Sequence, residues 1–148
     1  MEAIIFCGIQ ATGKSTSYIK NFFNTHIRIS MDQLNTRNKE NIFINTCLNI
    51  QQPFVIDNTN PTRDDRIKYI EFAKAKKYKI VGYYFQSNLD KAIERNISRI
   101  GNEKIPEVGI RGTFKKLELP SREEGFDELY YVEIVENKFI IKNWQDEV

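Results

Sequence analysis

The sequence is poor in the residues that hold soft metals. It has one histidine, His26, and two cysteines, Cys7 and Cys47. With no CxxC pair and no second histidine, the pattern argues against a zinc site. Two thiols without paired spacing also argue against a disulfide framework and point to a reducing compartment. His26 then reads as a residue opening a strand, and the cysteines as small buried hydrophobes. Long apolar runs are missing too. Ala3–Cys7 is far shorter than a secretory h-region or a membrane span, and no basic segment precedes it. A soluble, cytoplasmic protein with no membrane partner is the expectation. With 7 glycines and 4 prolines in 148 residues, there is no Gly/Pro/Ser-rich linker, and no repeat or low-complexity tract interrupts the chain. Nor does one sign of charge dominate, since 22 Lys and Arg face 20 Asp and Glu for a net charge of +2. That balance does not demand a nucleic-acid partner, and it leaves room for a local basic groove.

What is present is a globular composition, 41% hydrophobic and 28% charged, at a length that favours one domain over residues 1–148. Short apolar runs alternate with amphipathic stretches. Strands are expected at Ala3–Cys7, His26–Ser30, Phe54–Ile56 and Ile80–Phe85, with a hairpin of Leu129–Val135 and Lys138–Ile141 turning at Glu136-Asn137. Helices are expected from Lys14 to about Asn24, across Met31–Ile50 with a polar break near Asn35–Glu40, from Pro61-Thr62 to about Lys77 with Thr59 or Asn60 as its cap, and from Ser87 or Asn88 to about Ile100. After a polar break at Gly101–Lys104, a last helix is expected over Glu107–Leu117. The apolar faces read as Tyr18, Ile19, Phe22 and Phe23; then Ile42, Phe43, Cys47, Leu48 and Ile50; then Ile67, Ile70 and Ala73; then Leu89, Ile93, Ile97 and Ile100. Tyr83 and Tyr84 sit in a strand, which favours packing over base stacking. Strands separated by helices imply an α/β fold with a mainly parallel central sheet covered on both faces, a three-layer sandwich. Ligands in such sheets bind at the carboxyl ends of the strands.

Two such ends carry chemistry. The first is Gly8-Ile9-Gln10-Ala11-Thr12-Gly13-Lys14-Ser15-Thr16, which matches the P-loop pattern G-x-x-x-x-G-K-[ST] between an apolar strand and an amphipathic helix. Glycines at both ends let backbone N–H groups converge on an anion, and the helix N-terminus adds a favourable field. Lys14 supplies a point charge for the β- and γ-phosphates and Ser15 a hydroxyl for Mg²⁺. ATP with Mg²⁺ is therefore the expected cofactor pair. The second end is Asp57-Asn58-Thr59-Asn60-Pro61, where Asp57 is the other candidate metal ligand. Asp57 is followed by Asn58 and not by a glutamate that could activate water, and no NKxD segment reads guanine. A kinase needs a base near the acceptor hydroxyl instead, and Asp32, after the second strand, is placed for it. Asp32 reads equally well as an acid at a helix N-terminus. Lys91, Arg95 and Arg99 share one helix face, either as a lid that neutralises a transferring phosphoryl or as a solvated face paired through Glu94.

In four segments the chain resembles the kinase domain of the P-loop polynucleotide 5′-hydroxyl kinases, enzymes that heal nucleic-acid ends. These are GIQATGKST, the Met31-Asp32 pair, VIDNTNPTRDDRIKY from Val55 to Tyr69, and the run from Arg95 to Leu129. In that last run the spacing from Ile105-Pro106 through Phe114 and Pro120 to Glu124-Gly125-Phe126 is the most specific part. The resemblance implies ATP-dependent phosphoryl transfer to the 5′-hydroxyl of DNA or RNA. It makes Asp32 the general base, Lys14 and Ser15 the holders of phosphate and Mg²⁺, and Arg99 and Arg95 lid arginines within a lid region of about residues 88–120. Arg66 and Arg37 would help hold the acceptor strand, over a floor of Asn58, Thr59 and Asn60. Met31 stands where family members often carry an arginine, and Asn35 where some carry another. With no DxDx[TV] phosphatase pattern and no KxDG ligase signature, a stand-alone kinase module is expected. A small-molecule kinase keeps Lys14, Ser15 and Asp32 but needs no strand groove. Clustering of Arg37, Lys39, Arg63 and Arg66 beside Asp32 would favour the nucleic acid, and their scatter the small molecule. A non-catalytic nucleotide-binding module is the remaining alternative.

Overall fold

The computed structural model describes residues 1–101 and 104–145. A six-stranded sheet runs through it: β1 (Glu2–Cys7), β2 (Ile27–Ile29), β3 (Phe54–Ile56), β4 (Lys79–Phe85), β5 (Glu128–Val135) and β6 (Lys138–Asn143). Their order across the sheet is β2-β3-β1-β4-β5-β6, with the first five parallel and β6 antiparallel to β5. The helices are α1 (Lys14–Asn21), α2 (Met31–Leu34), α3 (Arg37–Ile50), α4 (Arg63–Ala75), α5 (Leu89–Ile97) and α6 (Glu107–Lys116). This is the mainly parallel α/β sandwich that alternation in the sequence implies.

Side chains of successive strand residues leave opposite faces of a sheet, which divides β1 between two cores. Ala3, Ile5 and Cys7 join Ile29, Phe54, Ile56 and Ile80 under α3 and α4, with Ile44, Cys47, Leu48, Tyr69, Ile70 and Ala73 packed above them. Ile4 and Phe6 join Val55, Val81, Phe85 and Val132 under α1, which contributes Tyr18, with Phe22 at its C-cap packed against them. A third, smaller cluster ties the P-loop to α5 and α6: Ile9 and Ala11 meet Ala92 and Ile110. Helices α5 and α6 are thereby seated on the loop that precedes α1. The Asn96 amide joins α5 to the start of α6, donating to the Ile105 carbonyl and accepting the Ile105 N–H.

Several helical faces differ from expectation. Ile19 and Phe23 are exposed, because α1 ends at Asn21 and buries its sheet-facing side with Tyr18. In α3, Ile42, Phe43 and Ile50 are exposed and Ile44 takes the buried place beside Cys47 and Leu48. The polar break expected within Met31–Ile50 is real and divides the stretch into α2 and α3, with Asn35 in the left-handed region at φ 66° and Thr36 capping α3. In α5 the buried residues are Ala92 and Asn96, while Ile97 and Ile100 are exposed. Helix α4 is capped by Thr62, not by Thr59 or Asn60: the Thr62 hydroxyl accepts the Asp65 N–H and the Asp65 carboxylate accepts the Thr62 N–H, a reciprocal capping box. The expected polar break at Gly101–Lys104 includes Asn102 and Glu103, which lie outside the described residues. No helix among the described residues is long and apolar enough to cross a membrane.

Candidate active site

The carboxyl ends of β1, β2 and β3 point to one rim of the sheet, so the loops that follow them meet there. A cleft of about 400 Å³ opens at this rim. It is lined by Gln10, Ala11, Gly13, Lys14, Ser15 and Thr16 from the P-loop and α1, by Met31, Asp32 and Arg37 from the β2 side, and by Asp57 to Pro61 after β3. Arg99, Ile105, Thr113 and Lys116 close it from the α5–α6 side.

The P-loop bends as it does because two positions have no room for a side chain. Gly8 has φ +152° and a Cβ there would come within 2.9 Å of the Phe85 carbonyl oxygen; Gly13 has φ +91° and a Cβ would meet the Phe139 ring at 2.8 Å. Gly13 is the N-cap of α1 and supplies no side-chain cap, so the first amide N–H groups of α1 face the cleft without intrahelical acceptors. Gly8, Ile9 and Thr12 sit below the loop and shape it: Gly8 N–H donates to the Thr59 carbonyl, Ile9 N–H to Ser87 Oγ, and Thr12 Oγ1–H to the Ile9 carbonyl. Six of the nine expected nucleotide residues thus line the cleft and three hold it from beneath. Lys14 is nearly enclosed, with Nζ donating to the Ile9 carbonyl at 2.6 Å. Burial pushes its ammonium down to about 8, partly offset by the charge of Asp57. A polyanion beside Lys14 would favour its charged form.

Ser15 Oγ donates to Asp57 Oδ2 at 3.0 Å. Two hard oxygens side by side, one of them a buried carboxylate, fit Mg²⁺ bound through one protein carboxylate and substrate phosphates. Among the described residues no group of three His, Cys, Asp or Glu gathers into an all-protein metal cage. Arg28 completes this corner. Its Nε donates to Asp57 Oδ2 at 2.7 Å and its Nη2 to Ser15 Oγ at 3.1 Å. Sequence reading missed Arg28, although its place follows from register. Arg28 pairs with Val55, so two residues on along β3 the same face presents Asp57.

Asp32 is exposed at the cleft, in the first turn of α2. Ser30 Oγ accepts the Asp32 N–H and Asn58 Oδ1 accepts the Met31 N–H, so two side chains cap this single turn. The segment after β3 also secures the P-loop strand, since Asn60 Nδ2 donates to the Phe6 carbonyl at 2.7 Å. Arg37 lines the cleft with Asp32, and Nη1 is held by Glu40 and Tyr69. Arg99 lines the cleft, whereas Arg95 turns to the P-loop backbone and donates to the Ala11 carbonyl at 3.2 Å. Arg66 does not line the cleft at all. It is fully buried behind the floor, with Nε and Nη2 on the Glu124 carboxylate at 2.8 and 3.1 Å and Nη1 on the Asn60 carbonyl. The expected role of Arg66 in holding an acceptor strand is therefore corrected: its whole hydrogen-bonding fork is spent inside the protein. Lys39 and Arg63 do not line the cleft either, and Lys116, which does, was not singled out from the sequence.

The fold is that of the P-loop kinases, with a P-loop cradle at the carboxyl end of β1. No protein-family model matches the chain. Among curated proteins it is similar to the bifunctional polynucleotide phosphatase/kinase of Schizosaccharomyces pombe, at 28% identity over 129 residues, 84% of this chain and 32% of that protein. A second relative, from Acanthamoeba polyphaga mimivirus and provisionally given the same description, is 28% identical over 136 residues, again 86% of this chain and 32% of its own length. The chain thus spans about a third of the curated relatives it matches. Among solved structures, a gluconokinase from Sinorhizobium meliloti 1021 superposes with a TM-score of 0.59 at 18% identity, covering 89% of this chain and 82% of that one. Chaetomium thermophilum Kti12 in complex with ADP-AlF3 superposes with a TM-score of 0.62 at 16% identity, covering 88% of each. The structural neighbours establish the fold, and the sequence relatives bear out the resemblance to polynucleotide kinases.

Proposed function

We propose that the chain transfers the γ-phosphoryl group of ATP to the 5′-hydroxyl end of a DNA or RNA strand. The observation that supports this reading is that Lys14, Ser15 and Asp57, which it assigns to the donor, line one cleft with Asp32 and Arg37, which it assigns to the acceptor. The similarity to polynucleotide phosphatase/kinases supports the choice of acceptor. The P-loop N–H groups and Lys14 hold the donor phosphates. Ser15 and Asp57 would hold Mg²⁺, which would neutralise charge on the donor phosphates. The acceptor oxygen forms a bond to the γ-phosphorus as the bond to the β-phosphate oxygen breaks, ADP leaves, and the hydroxyl proton passes to the Asp32 carboxylate. Arg99 is the lid cation placed to balance charge on the transferring group, and Arg95 supports it by holding the Ala11 carbonyl of the loop.

One observation favours a second reading, a small-molecule hydroxyl as acceptor. Of Arg37, Lys39, Arg63 and Arg66, Arg37 alone lines the cleft. The deciding experiment offers γ-labelled ATP and Mg²⁺ with 5′-hydroxyl DNA and RNA oligonucleotides, nucleosides and sugars, beside Asp32→Ala and Lys14→Ala. Label on an oligonucleotide end, absent with both variants, is expected. Label on a small molecule alone would move the reading to the second acceptor class. Transfer that survives Asp32→Ala would remove Asp32 as the base.

A further inference from the structure

The acceptor side of the cleft hangs on a buried carboxylate that does not touch the cleft itself. Glu40 lies in the first turn of α3 and has no exposed surface. Its Oε1 accepts Arg37 Nη1 at 2.9 Å and lies 3.6 Å from Lys68 Nζ; its Oε2 accepts Asn58 Nδ2 at 3.0 Å and the Tyr69 hydroxyl at 3.0 Å. Four groups, three in hydrogen bonds and the Lys68 ammonium in an ion pair, converge on the two oxygens of one carboxylate. Arg37 and Asn58, two of the four, line the cleft.

We infer that Glu40 is the positioning residue for the acceptor side, setting Asp32 through Asn58 and setting Arg37 directly. An asparagine amide has two different ends. Because Glu40 takes the Nδ2 end of Asn58, the Oδ1 end must face α2, where it accepts the Met31 N–H at 2.9 Å. Helix α2 is one turn of four residues and buries none of them. Leu34 packs against the core from the last position of the turn, while at its start polar contacts hold the first N–H groups: Asn58 on Met31 and Ser30 on Asp32. A buried charge surrounded by donors costs desolvation that an apolar residue would avoid. Here that cost orders two residues of a reactive wall. The inference rests on the reading of Asp32 as the base, and it deepens that reading by naming what holds the base in place.

The test uses the full chain with Glu40→Gln, Asn58→Ala and the double variant. A glutamine at position 40 turns one acceptor into a donor facing donors, which frees the Asn58 amide to turn over. Amide hydrogen exchange at Met31 is expected to speed up in both single variants, with Gly8 unchanged. Turnover on the acceptor identified for the wild type should fall about tenfold or more in Glu40→Gln at unchanged ADP affinity, and Met31 should exchange no faster in the double variant than in Asn58→Ala alone. Met31 exchange at the wild-type rate in Glu40→Gln would overturn the inference. So would loss of ADP affinity in step with turnover, which marks a general structural role. Should Glu40→Gln fail to fold, Asn58→Ala carries both readouts, and wild-type Met31 exchange there is again the overturning result. If the wild type labels no polynucleotide, the proposed acceptor fails while Met31 exchange still decides what Glu40 does.

Discussion

At the scale of single residues, the site uses burial to hold charges at a cost. Lys14 shows how this couples to pH. Enclosure lowers its ammonium to about 8, and an anionic ligand favours the charged form. The protonated amine is the form that binds phosphate, so nucleotide affinity should be full below about pH 8 and decline as pH rises through it. Binding ADP at about pH 8.5 should therefore take up a proton, read as a calorimetric heat that varies with the ionisation enthalpy of the buffer. Lys14→Met should abolish that dependence; its persistence would assign the proton to another group. Arg66 makes the opposite use of burial. Its fork is satisfied by Glu124 and Asn60, with no surface left over. Arg66→Met strands the Glu124 carboxylate inside the protein and should cost about 3–5 kcal/mol in urea unfolding. Adding Glu124→Leu should recover most of the loss, since replacing both members of a buried pair is often close to neutral. A loss under about 1 kcal/mol for Arg66→Met would mean that water reaches the pair.

At the scale of elements, strands were legible and helix faces only in part: Ile70 and Ala73 of α4, Cys47 and Leu48 of α3 and Tyr18 of α1 are buried as expected. β1, β3, β4 and the β5–β6 hairpin lie within a residue or two of the expected bounds, because short apolar runs between turn residues admit few alternatives. The P-loop was legible for the same reason that it works: its glycines are required by space. Helix faces failed where a stretch offered more apolar residues than the sheet could cover, as with Ile19 and Phe23, Ile42 and Phe43, and Ile97 and Ile100. Periodicity says that one face is buried, and the sheet decides which residues it reaches. The part of the site that escaped the sequence is long-range and polar. Arg28 reaches Asp57 through strand register, and Glu40 reaches Asn58 across 18 positions of chain. Charged residues in a strand or a polar helix look solvated until the fold is known. The capping box of α4 was half legible, with the cap expected at Thr59 or Asn60 and found at Thr62. Thr62→Ala should destabilise the protein by about 1 kcal/mol in thermal or urea unfolding. ADP affinity should not change, because Thr62 does not line the cleft. A matching loss of ADP affinity would mean that the α4 start and the P-loop rise and fall together.

At the scale of the whole molecule, a net charge of +2 says little, and the distribution of cations says more. Lys14 and Arg99 are committed to the donor in the proposed reaction. Arg37 and Lys116 are the cations left on the cleft wall, while Arg66 is internal and Arg28 is bound to Asp57. A strand held by two phosphate contacts should bind with a log K against log salt slope of about −1.4 for single-stranded acceptors. Such a slope is shallow, so affinity for the acceptor should come chiefly from contacts close to the 5′ end, and short oligonucleotides should perform nearly as well as long ones. Measuring acceptor binding at several salt concentrations, with Arg37→Gln and Lys116→Gln alongside, checks this. Each substitution should flatten the slope by about 0.7 if its side chain meets a phosphate. A slope several-fold steeper would reveal a basic track outside the cleft and a longer footprint on the strand. A slope near zero, unchanged by both substitutions, would leave the acceptor without a phosphate and favour the small-molecule hydroxyl.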